Sequence, residues 1–187
     1  MEYRIVPLPE EKWKGTVVPI GYTTKEYYDV EISSPDGGFE VRMIKKEFSS
    51  PVTHTPEEYN FPDSLYQDDR KNAQAFGIVS GDEMLACIEF CPEEWTNRLV
   101  VTEMWASEKL RRQGVGTNLM NLAKESAISQ ARRAVILETQ SCNVDAIAFY
   151  ISQGFSLIGF DSCAYSNGDI SRHEVRLDFG YFISESK

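Results

Sequence analysis

Histidine and cysteine are the scarce residues of this 187-residue chain: two of the first and four of the second. The cysteines (Cys87, Cys91, Cys142 and Cys163) form no Cys-x-x-Cys pair, and His54 and His173 stand far apart. The usual zinc patterns are therefore absent, no metal is expected, and the thiols read as reduced in a cytoplasmic protein. No apolar run is long enough to cross a membrane as a helix. Met1-Glu2-Tyr3-Arg4 lacks the basic start and apolar core of a secretory leader. Positive charge is short as well, with 19 Lys and Arg against 29 Asp and Glu for a net charge of −10. A nucleic-acid partner, which demands a basic face, is excluded on that ground. The same acidity suits a cationic small substrate, or solubility alone.

What is present is a chain 42% hydrophobic, enough for one core, with no repeats or biased linkers, and it is read as a single domain over residues 1–187. Tyr27–Ser33 and Phe39–Lys46 alternate around Ser34-Pro35-Asp36-Gly37-Gly38, a hairpin pattern. Ser49 to Pro62 carries three prolines and is expected to be loop, with at most one helical turn near Glu57-Glu58-Tyr59. A second hairpin is expected over Ser80-Gly81-Asp82-Glu83, and a turn over residues 91–97. The apolar strand Leu99–Ala106 then leads into Leu110-Arg111-Arg112-Gln113-Gly114-Val115-Gly116-Thr117 and a helical stripe of Val115, Leu119 and Leu122. After that helix comes Ala134-Val135-Ile136-Leu137-Glu138-Thr139, a buried-type strand. Strand, helix and strand over roughly forty residues imply a right-handed crossover and parallel pairing. Phe155–Tyr165 and Ser171–Ile183 read as a closing hairpin over Ser166-Asn167-Gly168-Asp169.

The glycine turn is the informative stretch. Strand, turn and helix gather unpaired N–H groups at a helix N-terminus, where a phosphate is favoured. No Ser, Thr, Asp or Asn precedes the helix as a cap. A P-loop would need Lys and Ser or Thr after a longer glycine spacing. A dinucleotide turn would need glycine at position 119, which is Leu119. What the residues satisfy is Arg/Gln-x-x-Gly-x-Gly, over Arg111 to Gly116, which resembles the pyrophosphate turn of GNAT acetyltransferases. Further on, Asn143-Val144-Asp145-Ala146-Ile147-Ala148-Phe149-Tyr150-Ile151-Ser152-Gln153-Gly154-Phe155 is similar to that superfamily's second signature. The segment from Leu137-Glu138-Thr139-Gln140 through Gly159-Phe160-Asp161 to Gly180-Tyr181-Phe182 resembles, more narrowly, streptothricin acetyltransferases.

The resemblance implies a mixed α/β fold. Its central sheet would be mostly antiparallel, with one parallel pair splayed in a V and helices flanking. It implies acetyl-CoA as co-substrate, the backbone of Met104, Trp105 and Ala106 pairing with the pantetheine arm, and the N–H groups of Arg112, Gln113, Gly114, Val115, Gly116 and Thr117 on the pyrophosphate. Arg111 or Arg112 would add charge-assisted bonds. The implied reaction is acetyl transfer to a primary amine of a cationic small molecule, most specifically the β-lysine amine of streptothricin. Another amine substrate, or a silent acyl-CoA-binding module, is the alternative.

An alkyl ammonium near pKa 10.4 is mostly protonated at neutral pH, so a base helps, and the departing thiolate benefits from an acid. Tyr150 stands where the family places its acid and is the candidate for that role, the alternative being a core tyrosine. Glu103, a carboxylate inside an apolar strand, is the candidate base; it could equally bind the ammonium or face solvent. Asn143 either touches the cofactor or caps its helix. Glu138 and Asp161 are candidates for gripping the substrate, with Glu89 and the Asp68-Asp69 pair as further acceptor-side carboxylates or ordinary surface. Monomer and homodimer both remain open.

Overall fold

Alternation on either side of Gly81-Asp82 and a buried-type run at Ala134 set the strands, and a glycine-led amphipathic stretch sets the long helix. A computed structural model describes residues 3–58 and 62–183. In chain order the elements are β1 (Val6–Pro7), α1 (Glu10–Trp13), β2 (Tyr22–Ser33), β3 (Glu40–His54), β4 (Gln74–Ser80), β5 (Glu83–Glu93), β6 (Arg98–Ala106), α2 (Val115–Ser129), β7 (Ala134–Gln140), α3 (Val144–Ser152), β8 (Ser156–Asp161), α4 (Asp169–Arg172) and β9 (Arg176–Phe182). The fold is mixed α/β, with mostly antiparallel strand pairs and one parallel pair, β6 with β7. No described helix is long and apolar enough to cross a membrane. The chain divides into two compact units, the first holding residues 3–20, 55–58, 62–137 and 181–183, the second 21–54 and 138–180.

In the first unit the strand order is β1-β4-β5-β6-β7. The β4–β5 hairpin turns on Gly81 at φ 63, where a side chain would be strained. The parallel ladder of β6 and β7 runs Arg98↔Ala134, Leu99↔Val135 and Val100↔Ile136 and ends there, while β6 continues to Ala106. Helix α2 packs on β5 and β6, burying Val115, Leu119, Met120, Ala123 and Ala127. Burial of such side chains supplies most of the stability of a helix this long. A second cluster of Leu8, Trp13, Val18, Leu65, Tyr66, Ala75 and Cys87 fastens the N-terminal segment to the strands.

In the second unit β2 and β3 form a long antiparallel ribbon, with Tyr27↔Lys46 and Ser33↔Glu40 in register. The Tyr28 N–H donates to Ser141 O at 2.9 Å, and the Ser141 N–H donates to Val175 O at 2.8 Å. Those bonds tie the ribbon and the approach to β9 to the segment after β7.

Three expectations are corrected. Residues 49–54 are strand rather than loop, because β3 resumes pairing with β2 from Val52 to His54 after a register break that contains Pro51. Pro51 falls in that irregularity, where the ladder asks no N–H of it, so it is tolerated. The single helical turn expected near Glu57-Glu58-Tyr59 is present, as a 3₁₀ turn at Pro56–Glu58, and Tyr59 lies outside the described residues. The turn expected over 91–97 starts later, since β5 runs through Glu93 and only Glu94–Asn97 reverse the chain. The closing hairpin is likewise shorter. β8 and β9 pair from Ser156↔Gly180 to Asp161↔Arg176, and α4 sits between them. Buried Asp169 decides this, accepting from Tyr165 N at 2.9 Å and Ser166 Oγ at 2.7 Å and so winding the Asn167-Gly168 stretch into a compact loop.

Gly77 is the tightest backbone approach near these strands: a Cβ there would lie 2.3 Å from Ala86 O and 2.9 Å from a Leu8 methyl. Because the first neighbour is ladder backbone, it cannot swing aside. Gly77→Ala should lower stability by about 1–3 kcal/mol, read as a reduced urea midpoint with an unchanged slope.

Candidate active site

Glu103 and Glu89 face one another across the β5–β6 ladder, and both are buried, at 2% and 0% exposure. Two carboxylates directly opposite repel, and burial removes the water that would screen them. Arg70 answers both demands from the loop before β4. Its Nη1 donates to Glu89 Oε1 at 2.8 Å, to Glu103 Oε1 at 2.9 Å and to Ser64 O at 3.2 Å. Burial works against the Arg70 charge, and the two carboxylates outweigh it. Glu89 is further satisfied by Thr102 Oγ1 at 2.8 Å and by the Tyr66 N–H at 2.6 Å.

Glu103 is pushed up to about 8, first by burial and next by the negative charge of Asp63; the Arg70 pairing opposes this and Glu89 adds to it. Burial and its acidic neighbours thus bring its proton affinity into the range where a carboxyl can take up and release a proton near neutral pH.

The segment that follows Glu103 pairs with β5 through Ile88↔Met104, Cys87↔Trp105 and Ala86↔Ala106. Just beyond it, the Ser107 hydroxyl is buried without a hydrogen-bond partner among the described residues. Glu108–Leu110 form a 3₁₀ turn, Arg112 takes φ 59 and Gly114 φ 79, and α2 begins. Gly114 is the N-cap residue; no side chain caps the helix and its first turn holds no acid. A Cβ on Gly114 would meet no protein atom within 4 Å, so the space before the helix is open. Arg111, Arg112 and Gln113 are exposed, with Arg111 Nε 3.3 Å from Ala106 O and Gln113 Nε2 2.5 Å from Lys109 O. Val115 is buried, and Gly116 and Thr117 are half-buried.

The first unit thus brings together Glu103, Met104–Ala106 and Arg111–Thr117. Four other expected residues lie in the second unit. Asn143 caps α3, its Oδ1 accepting from Ala146 N at 3.4 Å. Tyr150 is half-buried on α3, its ring 6.3 Å from those of Phe155 and Phe179. Glu138 is exposed and ion-paired, 2.5 Å from Arg176 Nε, with the Tyr165 hydroxyl at 3.4 Å. Asp161 is exposed; its carboxylate accepts from the Cys163 N–H at 2.9 Å, which holds it below the usual range. Asp68 is exposed and 3.0 Å from Lys14 Nζ.

Two parts of this arrangement were missed. Glu89, expected as an acceptor-side or surface carboxylate, is wholly buried structure, and Arg70 was not singled out at all. The readable signal was the pair of glutamates in otherwise apolar strands, which cannot be buried without a cation. Asp69-Arg70-Lys71 by itself looks like solvated surface.

The acetyltransferase (GNAT) family model matches residues 41–155, well over half of the chain. The chain belongs to the GNAT acetyltransferase family. This GNAT chain is similar to the streptothricin acetyltransferase of Escherichia coli, 26% identical over 180 residues, 96% of this chain and 95% of that protein. Among solved structures it resembles nourseothricin acetyltransferase, with a TM-score of 0.71, 23% identity, and 97% and 99% of the two chains covered. A Bacillus anthracis str. Ames protein solved with acetyl coenzyme A gives a TM-score of 0.71 at 19% identity, covering 98% and 99%. Those two likenesses carry the fold. Family membership carries the reaction: this is an acetyl-CoA-dependent N-acetyltransferase.

The Glu103 carboxyl predicts a pH dependence of stability. Its ordinary value is 4.5 and its folded value about 8, so the folded state holds this proton more tightly than the unfolded chain does. The stabilising contribution is complete below about 4.5 and is lost as pH rises through about 8. Thermal midpoints of wild type and Glu103→Gln across that range should show the wild-type advantage shrinking as pH increases.

Proposed function

We propose that the whole chain acts as one acetyltransferase domain. Its acceptor is a primary amine of a cationic small molecule, the β-lysine amine of streptothricin. The observation that carries this reading is the near end-to-end match to the Escherichia coli streptothricin acetyltransferase. The net charge of −10 favours a cationic acceptor over an anionic one.

On this reading acetyl-CoA supplies the activated acyl thioester. The residues of the first unit suit that donor: an uncapped helix start with open space before Gly114, two exposed arginines beside it, and an unpartnered buried hydroxyl at Ser107. Helix N-terminal amides and a nearby guanidinium are the ordinary way to hold a pyrophosphate. Val115, Gly116 and Thr117 present the first helical amides, with those of Arg112, Gln113 and Gly114 leading in. The Met104–Ala106 backbone receives the amide-bearing arm, which the early end of the β6–β7 ladder supports.

Glu103 takes the proton from the acceptor ammonium, directly or through one water, leaving the nitrogen lone pair free to attack. Tyr150 returns a proton to the thiolate; its place in the Asn143–Phe155 motif is the support for that role, and a phenol stays protonated at neutral pH while able to donate. Asn143 adds a contact to the cofactor besides capping α3. Glu138 and Asp161 contribute negative charge toward the substrate amine.

Incubation with acetyl-CoA and streptothricin should add the mass of one acetyl group to the antibiotic. Turnover of other amines with streptothricin untouched would overturn the substrate assignment, and coenzyme A binding without any turnover would make the chain a binding module. Tyr150→Phe should reduce kcat by about 10²–10⁴-fold with coenzyme A affinity by calorimetry little changed. Gly114→Val should instead abolish coenzyme A binding, because a β-branched residue at φ 79 is strained and projects into the space before the helix.

A further inference from the structure

A positioning device for the proton acceptor lies within the first unit, and it rests on the reading of Glu103 as the base. Two buried carboxyls meet one guanidinium, and the partition of their oxygens is unequal. Both oxygens of Glu89 are occupied: Oε1 by Arg70 and Thr102, Oε2 by the Tyr66 amide. Glu103 has only Oε1 engaged, by Arg70; among the described residues its Oε2 accepts no hydrogen bond. A fully satisfied carboxyl is poorly suited to taking up a proton, since protonation would cost it an acceptor site. A half-satisfied one beside it has an oxygen to spare.

We propose that Arg70 and Glu89 are positioning residues that divide the labour of the carboxyl pair, clamping Glu103 by Oε1 so that Oε2 is the oxygen that takes the substrate proton. In that step an N–H bond of the ammonium breaks, an O–H bond forms at Oε2, and the electron pair stays on nitrogen. Arg70 fixes the rotamer of Glu103 and limits how far its proton affinity rises. Glu89, after burial and Asp63, adds a like charge that raises the affinity further. The titratable groups facing Glu103 are Glu89 and Cys87 from β5, and Asp63 and Arg70 from the loop before β4. The Cys87 thiol, pushed up by burial and by both glutamates, stays protonated and only adds bulk. Two of the four groups therefore lend themselves to opposite perturbations.

The test pairs a direct titration with kinetics. With ¹³Cδ-labelled glutamate, the Glu103 carboxyl is assigned by its disappearance in Glu103→Gln and titrated in wild type, Arg70→Gln, Arg70→Lys and Glu89→Gln, a measurement that needs no acceptor. Removing the Arg70 charge should move the Glu103 midpoint to higher pH, and removing the Glu89 charge to lower pH. Arg70→Lys, which keeps the charge and loses the fork, should titrate nearer wild type than Arg70→Gln and guards against a Gln variant that fails to fold. The acidic limb of kcat/KM for streptothricin should follow each midpoint, with about tenfold lost or gained at fixed pH for every pH unit of displacement. A Glu103 midpoint unmoved in folded variants, with Glu103→Gln still inactive, overturns the clamp alone. A limb that stays in place while the midpoint moves overturns Glu103 as the base, and the clamp's function with it.

Discussion

Burying two carboxylates face to face on neighbouring strands is tolerable only if a cation is buried with them. In the first unit that cation is Arg70, and its guanidinium ties the loop before β4 to the middle of β5 and β6. Removing one partner from such a cluster leaves a charge uncompensated, at a cost of about 3–5 kcal/mol. The loop is held from more than one side. Glu89 takes the Tyr66 amide, and the Tyr66 hydroxyl donates to Leu8 O while accepting from Ala75 N at 3.1 Å. Ordering of the N-terminal segment, of the loop and of the β5–β6 register thus depends on one shared charge.

That register decides where the donor-facing elements lie. With Glu89 opposite Glu103, the next three residues of β6 face Ile88, Cys87 and Ala86, and β6 delivers the chain to the glycine turn at a fixed distance from the carboxyl. Helix α2 then starts on Gly114 in a left-handed conformation that glycine adopts at no steric cost. A conventional side-chain cap would satisfy the first amides internally. Leaving it out keeps those donors for an anion.

Much of this was readable in advance. The hairpin at Gly81-Asp82, the parallel pair flanking α2, the helix that Asn143 caps and the glycine turn follow local rules of period, turn chemistry and capping, and they stand where those rules put them. The misreadings arose where a distant partner overrode a local signal. Pro51 reads as a loop marker, yet β3 carries it in a register break, because the ribbon partner pairs again from Val52 to His54. Asn167-Gly168 reads as a tight hairpin turn, yet a buried aspartate winds the segment into a short helix.

By itself, the sequence determined the family and the reaction, because the two motifs are short, contiguous, and dictated by backbone geometry at a helix start and a helix cap. It also determined that Glu103 was chemically unusual, since a carboxylate in an apolar strand carries a desolvation cost wherever it lies. Only the tertiary structure decided what meets that cost. Arg70 is 33 residues from Glu103 and 19 from Glu89 along the chain. No period or spacing marks such a contact, because the folded strands and loop alone bring the three side chains within hydrogen-bond reach. Which of the two glutamates has an oxygen left for a proton is a property of that packing.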